Sequence, residues 1–181
     1  MSMPFASDAR HRPPYEAELP ALLADRFALD GSQTVLDLGA SSARPDGPGA
    51  LALSLAAVVD HVYAVHPEPD VLAEGARLAE ERGRSNISWL EGDASAVTRL
   101  CLPRIDLCVI GDAFHRTDRD RLPADLDTLL APRGGLALIA APDDLEDLTD
   151  RLAKSAFSRI ETTTWDRPVA VTVIVATRPV R

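Results

Sequence analysis

Four short clusters carry the residues able to do chemistry. In VIGDAFHRTD, Asp112 and His115 follow an apolar run, and they are the best-placed acid–base candidates in the chain. An imidazole with an ordinary pKa of about 6.5 removes a proton from a hydroxyl or an acidic carbon near neutral pH. The plainer alternative is that His115 packs or caps locally. The second cluster, VLDLGASSARPDGPGALALSLA, is a strand that runs through Asp37 into Gly39, with a helix of small residues resuming at Ala50. Between them lie ten residues, from Ala40 to Gly49, where a strand-to-helix connection normally takes about 2–6. Glycines at such a turn let backbone N–H groups and a helix N-terminus approach a ligand with no Cβ in the way. A mere connection is the alternative, and the dinucleotide pattern G-x-G-x-x-G is absent. The third cluster is YAVHPEPDVL, which puts His66 and Pro67 at a strand end, and the fourth is LEGDAS, which puts Asp93 and Ala94 at another. Both also read as a strand-end histidine without a ligand and a turn-forming Gly-Asp pair.

The elements that would position these clusters follow from hydrophobic periodicity. Leu19, Leu22, Leu23 and Phe27 fall at helical spacing, and Asp30-Gly31 closes that helix. TVLDL is a buried strand, residues 50–59 a helix, and HVYAV a second strand. PEPDVLAEGARLAEERG predicts an amphipathic helix with Val71, Leu72, Gly75, Leu78 and Ala79 on one face, ended by Gly83. ISWLEGD and IDLCVIGD give strands three and four. A helix over 122–130 stops at APRGG before the strand LALIAAP, and another helix covers 143–155. SRIETTTW and VAVTVIVATR, joined by DRP, close the chain. Continuously apolar strands alternating with helices predict a parallel sheet covered on both faces. The short turn between the last two strands permits only antiparallel pairing.

Length and composition set the frame. The 181 residues, with no internal repeat or linker, suit one domain spanning 1–181. Apolar residues make up 46% and charged residues 26%, an ordinary globular balance. A formal net charge of −9 with no basic run argues against a nucleic-acid partner. No run is long enough to span a bilayer and the N-terminus lacks the apolar stretch of a signal peptide, so a cytoplasmic protein with no membrane partner is expected. Cys101 and Cys108 have no metal-ligand spacing and are expected to be reduced core thiols, with no metal site.

On these residues the chain resembles the class I S-adenosylmethionine-dependent methyltransferases, from RPPYEAELPALLADRFALDGSQTVLDLG to the last strand pair. The resemblance implies a Rossmann-like, doubly wound α/β fold with a seven-stranded sheet, mostly parallel, whose C-terminal strand pair is antiparallel. In that family the first strand ends in an acidic residue followed by a glycine-rich turn, roughly D-x-G-x-G-x-G, and Asp37, Leu38 and Gly39 match its first half. Two alignments of the second half compete. Without a gap, Ser41 and Ala43 replace the later glycines; with SSARPD as an insertion, Ala40 runs on to GPGALALSLA, bringing in Gly47 and Gly49. From Asp37 to His66 the chain runs six residues longer than the family's spacing, and SSARPD is six residues long, which favours the insertion.

The same resemblance implies S-adenosylmethionine as cofactor, held by Asp37, Gly39, Ala40, Gly47, Gly49, His66, Pro67, Asp93 and Ala94. His66 stands where relatives carry a carboxylate that accepts both ribose hydroxyls, and a neutral imidazole has one acceptor nitrogen. Asp93 would accept the adenine amino group and Ala94 would offer its N–H to a ring nitrogen. Asp112 and His115 would face the transferred methyl group as the catalytic pair, and Tyr15 would close over the cofactor and substrate. The expected function is methyl transfer to a small molecule, in secondary metabolism, with a homodimer left open as a further partner. The rival expectation is a methyltransferase-fold protein that no longer transfers methyl groups, serving as a cyclase, another non-redox biosynthetic catalyst or a partner subunit.

Overall fold

The computed structural model describes residues 18–40, 47–111, 118, 121–140, 152, 154, 157, 159–166 and 170–177. Its helices are α1 (Glu18–Phe27), α2 (Ala50–Leu55), α3 (Pro69–Glu81) and α4 (Leu122–Leu129), with a short 3-10 helix at Val97–Arg99. Its strands are β1 (Thr34–Leu38), β2 (His61–His66), β3 (Ile87–Glu91), β4 (Ile105–Ile110), β5 (Leu130–Ala140), β6 (Arg159–Asp166) and β7 (Ala170–Thr177). They form one seven-stranded sheet in the order β3-β2-β1-β4-β5-β7-β6. The first five strands in that order pair in parallel, and β7 runs antiparallel between β5 and β6. The expected α/β fold, mostly parallel with an antiparallel C-terminal pair, is the one observed.

The strands are apolar along their length because both faces are covered. Successive side chains leave opposite faces, so each central strand feeds two cores. Val35, Leu107, Val109, Ala137 and Ile139 join Leu19 and Leu23 of α1 and Leu51 and Leu55 of α2 on one face. Leu36, Leu38, Cys108, Ile110, Leu136 and Leu138 join Leu122, Leu126 and Leu129 of α4 on the other. The closing of α3 at Gly83, in the left-handed region at φ 64°, matches its expected stop.

Some boundaries differ from expectation. α2 ends at Leu55 rather than 59, with turns carrying the chain on to β2. β5 begins at Leu130 and takes in APRGG, which the pattern assigns to a helix stop. Its register with β4 shifts between Ile105 and Leu107, and Arg133 has φ 70°, so the Gly-rich stretch is a bulge inside the strand rather than a break before it. Cys108 is a buried thiol as expected, but Cys101 is exposed, on the loop before β4. The insertion at 41–46 and most of the helix expected over 143–155 lie outside the described residues. Among the described residues no helix is long and apolar enough to cross a membrane.

Candidate functional site

Three adjacent strands, β1, β2 and β3, deliver polar residues to their carboxyl ends. Open α/β sheets hold ligands in the crevice at that edge. Asp37, on β1, is one of two buried polar residues among the described residues, at 2% exposure. Its Oδ2 accepts the backbone N–H of Ala52 at 3.1 Å. Ala52 lies in the first turn of α2, where N–H groups have no partner within the helix. The N-cap of α2 is Gly49, which has no side chain to cap with. A strand carboxylate thus serves as the missing cap. Burial pushes the Asp37 carboxyl up to about 7, and the Ala52 N–H partly opposes the shift. On β4, burial pushes the Cys108 thiol up, and the Asp37 charge adds to it, so this thiol stays neutral.

Beyond Asp37 the chain turns at Gly39, whose φ of 83° is costly for any residue with a Cβ. The Gly39 and Ala40 N–H groups both donate to the Val65 carbonyl, at 2.8 and 3.1 Å. The turn after β1 is therefore pinned to the residue just before His66. Gly47 and Gly49 also have positive φ, 87° and 70°. A Cβ on Gly47 would stand 2.9 Å from Leu78 Cδ1, and one on Gly49 would stand 2.4 Å from Trp89 Cη2. These two glycines have a packing reason, close approach to α3 and β3, in addition to the cofactor approach expected of them.

At the end of β2, His66 is 3% exposed. Its carbonyl accepts the Gly92 N–H at 3.1 Å, tying the exits of β2 and β3 together. Its Nδ1 accepts the Glu68 N–H, also at 3.1 Å. A neutral ring bonded this way carries its proton on Nε2, which makes that nitrogen a donor. Pro67 is exposed at the bend into α3, and Pro69 opens the helix with φ preset.

At the end of β3, Asp93 Oδ1 accepts the Ser95 N–H at 2.8 Å, the Ser95 hydroxyl at 2.6 Å and the Ala96 N–H at 3.1 Å. The Ser95 hydroxyl, first among these, holds the Asp93 carboxyl below the usual carboxylate range. Asp93 Oδ2 and the Ala94 N–H have no hydrogen-bond partner among the described residues. One oxygen builds the turn and leaves Oδ2 and the Ala94 N–H uncommitted among the described residues, so the turn reading and the ligand reading of GDAS are compatible.

Asp37, Gly39, Ala40, His66, Pro67, Asp93 and Ala94 thus share one edge of the sheet, and Gly47 and Gly49 sit at the start of α2. Asp112, His115 and Tyr15 lie outside the described residues. Ser95 escaped sequence reasoning, although an aspartate whose side chain bonds the backbone two residues on is the usual signature of such a turn. Trp89 escaped it too. The signal was Gly75, a glycine in the middle of an otherwise regular amphipathic helix.

No protein-family model and no curated protein matches the sequence. Solved structures do match the fold. TrmN from Thermus thermophilus superposes with a TM-score of 0.72 at 22% identity, over 96% of this chain and 52% of that one. The N-methyltransferase NodS from Bradyrhizobium japonicum gives 0.71 at 18% identity, over 92% of this chain and 97% of NodS. Precorrin 8W decarboxylase from Methanobacterium thermoautotrophicum gives 0.69 at 18% identity, over 93% of each chain. At these identities the likeness is one of fold.

Proposed function

We propose that the protein is an S-adenosylmethionine-dependent methyltransferase acting on a small molecule, with its cofactor at the carboxyl edge of β1, β2 and β3. The observation that carries this reading is the buried Asp37, bonded to the first turn of α2 and followed by the left-handed Gly39 turn. Several solved structures of this fold are described as methyltransferases, NodS among them. Asp93 Oδ2 and the Ala94 N–H offer an acceptor beside a donor, the pair an adenine edge requires. The acidic chain, with no basic run, favours a small substrate over a nucleic acid. Bound there, S-adenosylmethionine supplies a methyl carbon made electrophilic by the adjacent sulfonium. This chain's own residues then bind and orient: Asp37 holds the turn, Val65 fixes Gly39 and Ala40, and Asp93 shapes the adenine side. A base is not required where positioning of the nucleophile suffices, and Asp112 with His115 is the pair proposed to serve where one is.

His66 favours a second reading, a protein of this fold that no longer transfers methyl groups. With Nδ1 taken by the Glu68 N–H, the one acceptor nitrogen of the neutral ring is already engaged, where the resembled family offers a ribose diol a carboxylate. One solved structure of the same fold is described as a decarboxylase. Calorimetric titration with S-adenosylmethionine and S-adenosylhomocysteine decides between them. Micromolar binding supports the methyltransferase; no detectable binding of either ligand overturns it and leaves the second reading.

A further inference from the structure

Trp89 sits on the edge strand β3, half-buried against the core that α1 and α2 cover. The far edge of its indole fills a slot with glycine on both sides. A Cβ on Gly49 would stand 2.4 Å from Cη2 and 2.7 Å from Cζ3. A Cβ on Gly75 would stand 2.4 Å from Cζ3 and 2.6 Å from Cη2. Neither position tolerates a side chain while the ring stays in place. Gly75 lies inside α3, where glycine weakens a helix relative to alanine, so its presence there needs the ring to explain it. Gly49 is the N-cap of α2. The ring is therefore the spacer between the body of α3 and the first turn of α2. Three residues beyond Gly49 is Ala52, whose N–H reaches Asp37 at 3.1 Å. Hydrogen bonds of this kind fade within about half an ångström of added length, so a small displacement of α2 is enough to lose it.

We infer that Trp89 is a positioning residue of the site: wedged between Gly49 and Gly75, it sets the place of α2 against β1, and through the Ala52 contact it holds Asp37 for ligand binding. The ligand half of this inference rests on the S-adenosylmethionine reading, whereas the Asp37 half does not. A role confined to core packing would change stability and leave both Asp37 and the affinity alone.

The test uses Gly75→Ala, Trp89→Phe and the double variant, each full length. Two quantities are read: the titration midpoint of the Asp37 carboxyl by carbon-13 NMR in the unliganded protein, and the dissociation constant for S-adenosylhomocysteine. Gly75→Ala should drive the ring against Gly49, weaken the Ala52 contact, raise the Asp37 midpoint and weaken binding about tenfold. Replacing the indole with the smaller phenyl in the double variant should bring both quantities back toward wild type. An unmoved midpoint in Gly75→Ala, or a double variant that recovers neither quantity, overturns the inference. Should Gly75→Ala fail to fold, Trp89→Phe alone decides, with a raised midpoint supporting the inference and an unchanged one overturning it. If wild type binds no S-adenosylhomocysteine, the functional reading falls and the Asp37 midpoint still judges Trp89.

Discussion

Asp37 and Ala52 are joined by a hydrogen bond of 3.1 Å across the turn between β1 and α2, so a buried carboxylate caps a helix that begins with glycine. Burying a carboxylate with one N–H partner favours its protonated form, hence the rise from 3.8 to about 7. The unfolded chain gives up this proton near 3.8 while the folded chain keeps it to about 7. Folding stability from this group is thus fully present below the lower value and is lost as pH rises through the interval. The total is on the order of a few kcal/mol. Asp37→Asn keeps an oxygen for Ala52 and removes the titration. Thermal unfolding followed from pH 4 to 8 should show a decline for wild type that is flattened in the variant. Parallel curves for the two proteins would contradict the raised pKa.

Asn86 holds the opposite end of the sheet. Its Nδ2 lies within 3.0–3.1 Å of the carbonyls of Ala56, Val59 and Asp60, which close the chain between α2 and β2. Asn86→Ala leaves those acceptors without their shared donor, at a cost of about 1–3 kcal/mol. For a domain of this size that lowers Tm by about 2–4 °C per kcal/mol. Denaturation melts should show the loss, while the dissociation constant for S-adenosylhomocysteine stays within about twofold. A large loss of affinity would mean that the two ends of the sheet are coupled.

How much of this was legible in the sequence depends on how local the cause is. The parallel body of the sheet follows from continuous apolar runs alternating with helices and the antiparallel end from a short final turn, and both appear as expected. APRGG looked like a helix stop because glycine breaks helices and bulges strands alike; only pairing with β4 tells the two apart. Cys101 and Cys108 share an apolar neighbourhood in sequence, yet one is on an exposed loop and the other inside a strand. Asp37 was visible as an acid at a strand end. Its role as a cap was not, because Ala52 is brought to it by a turn longer than local rules describe. The purpose of Gly75 required knowing where the Trp89 ring lies, a contact between elements that periodicity does not encode.

Deleting residues 41–46 tests the insertion. The two flanks are anchored independently: the Ala40 N–H bonds the Val65 carbonyl, and Gly47 packs near Leu78. The shortened chain should therefore keep its circular dichroism spectrum and a cooperative melt. Shorter loops also carry a smaller closure entropy, by about 0.8 kcal/mol for ten residues cut to four. A variant that unfolds would assign the segment a structural duty and remove the gapped alignment.

His66→Asp separates the two functional readings most directly. In wild type, Nδ1 is engaged by the Glu68 N–H. An aspartate can accept that same N–H with one oxygen, as such turns commonly do, and offer the second to a ribose hydroxyl. One recovered hydrogen bond of about 1 kcal/mol tightens binding several-fold. Working against it, the position is 3% exposed, so the new carboxylate is partly desolvated and its pKa raised. The comparison is best made at pH 8, where the acid is ionised. Dissociation constants for S-adenosylhomocysteine, measured side by side, should be lower in the variant if the edge of β1, β2 and β3 receives a nucleoside. Binding that is absent from both proteins would end the methyltransferase proposal and leave the fold alone standing.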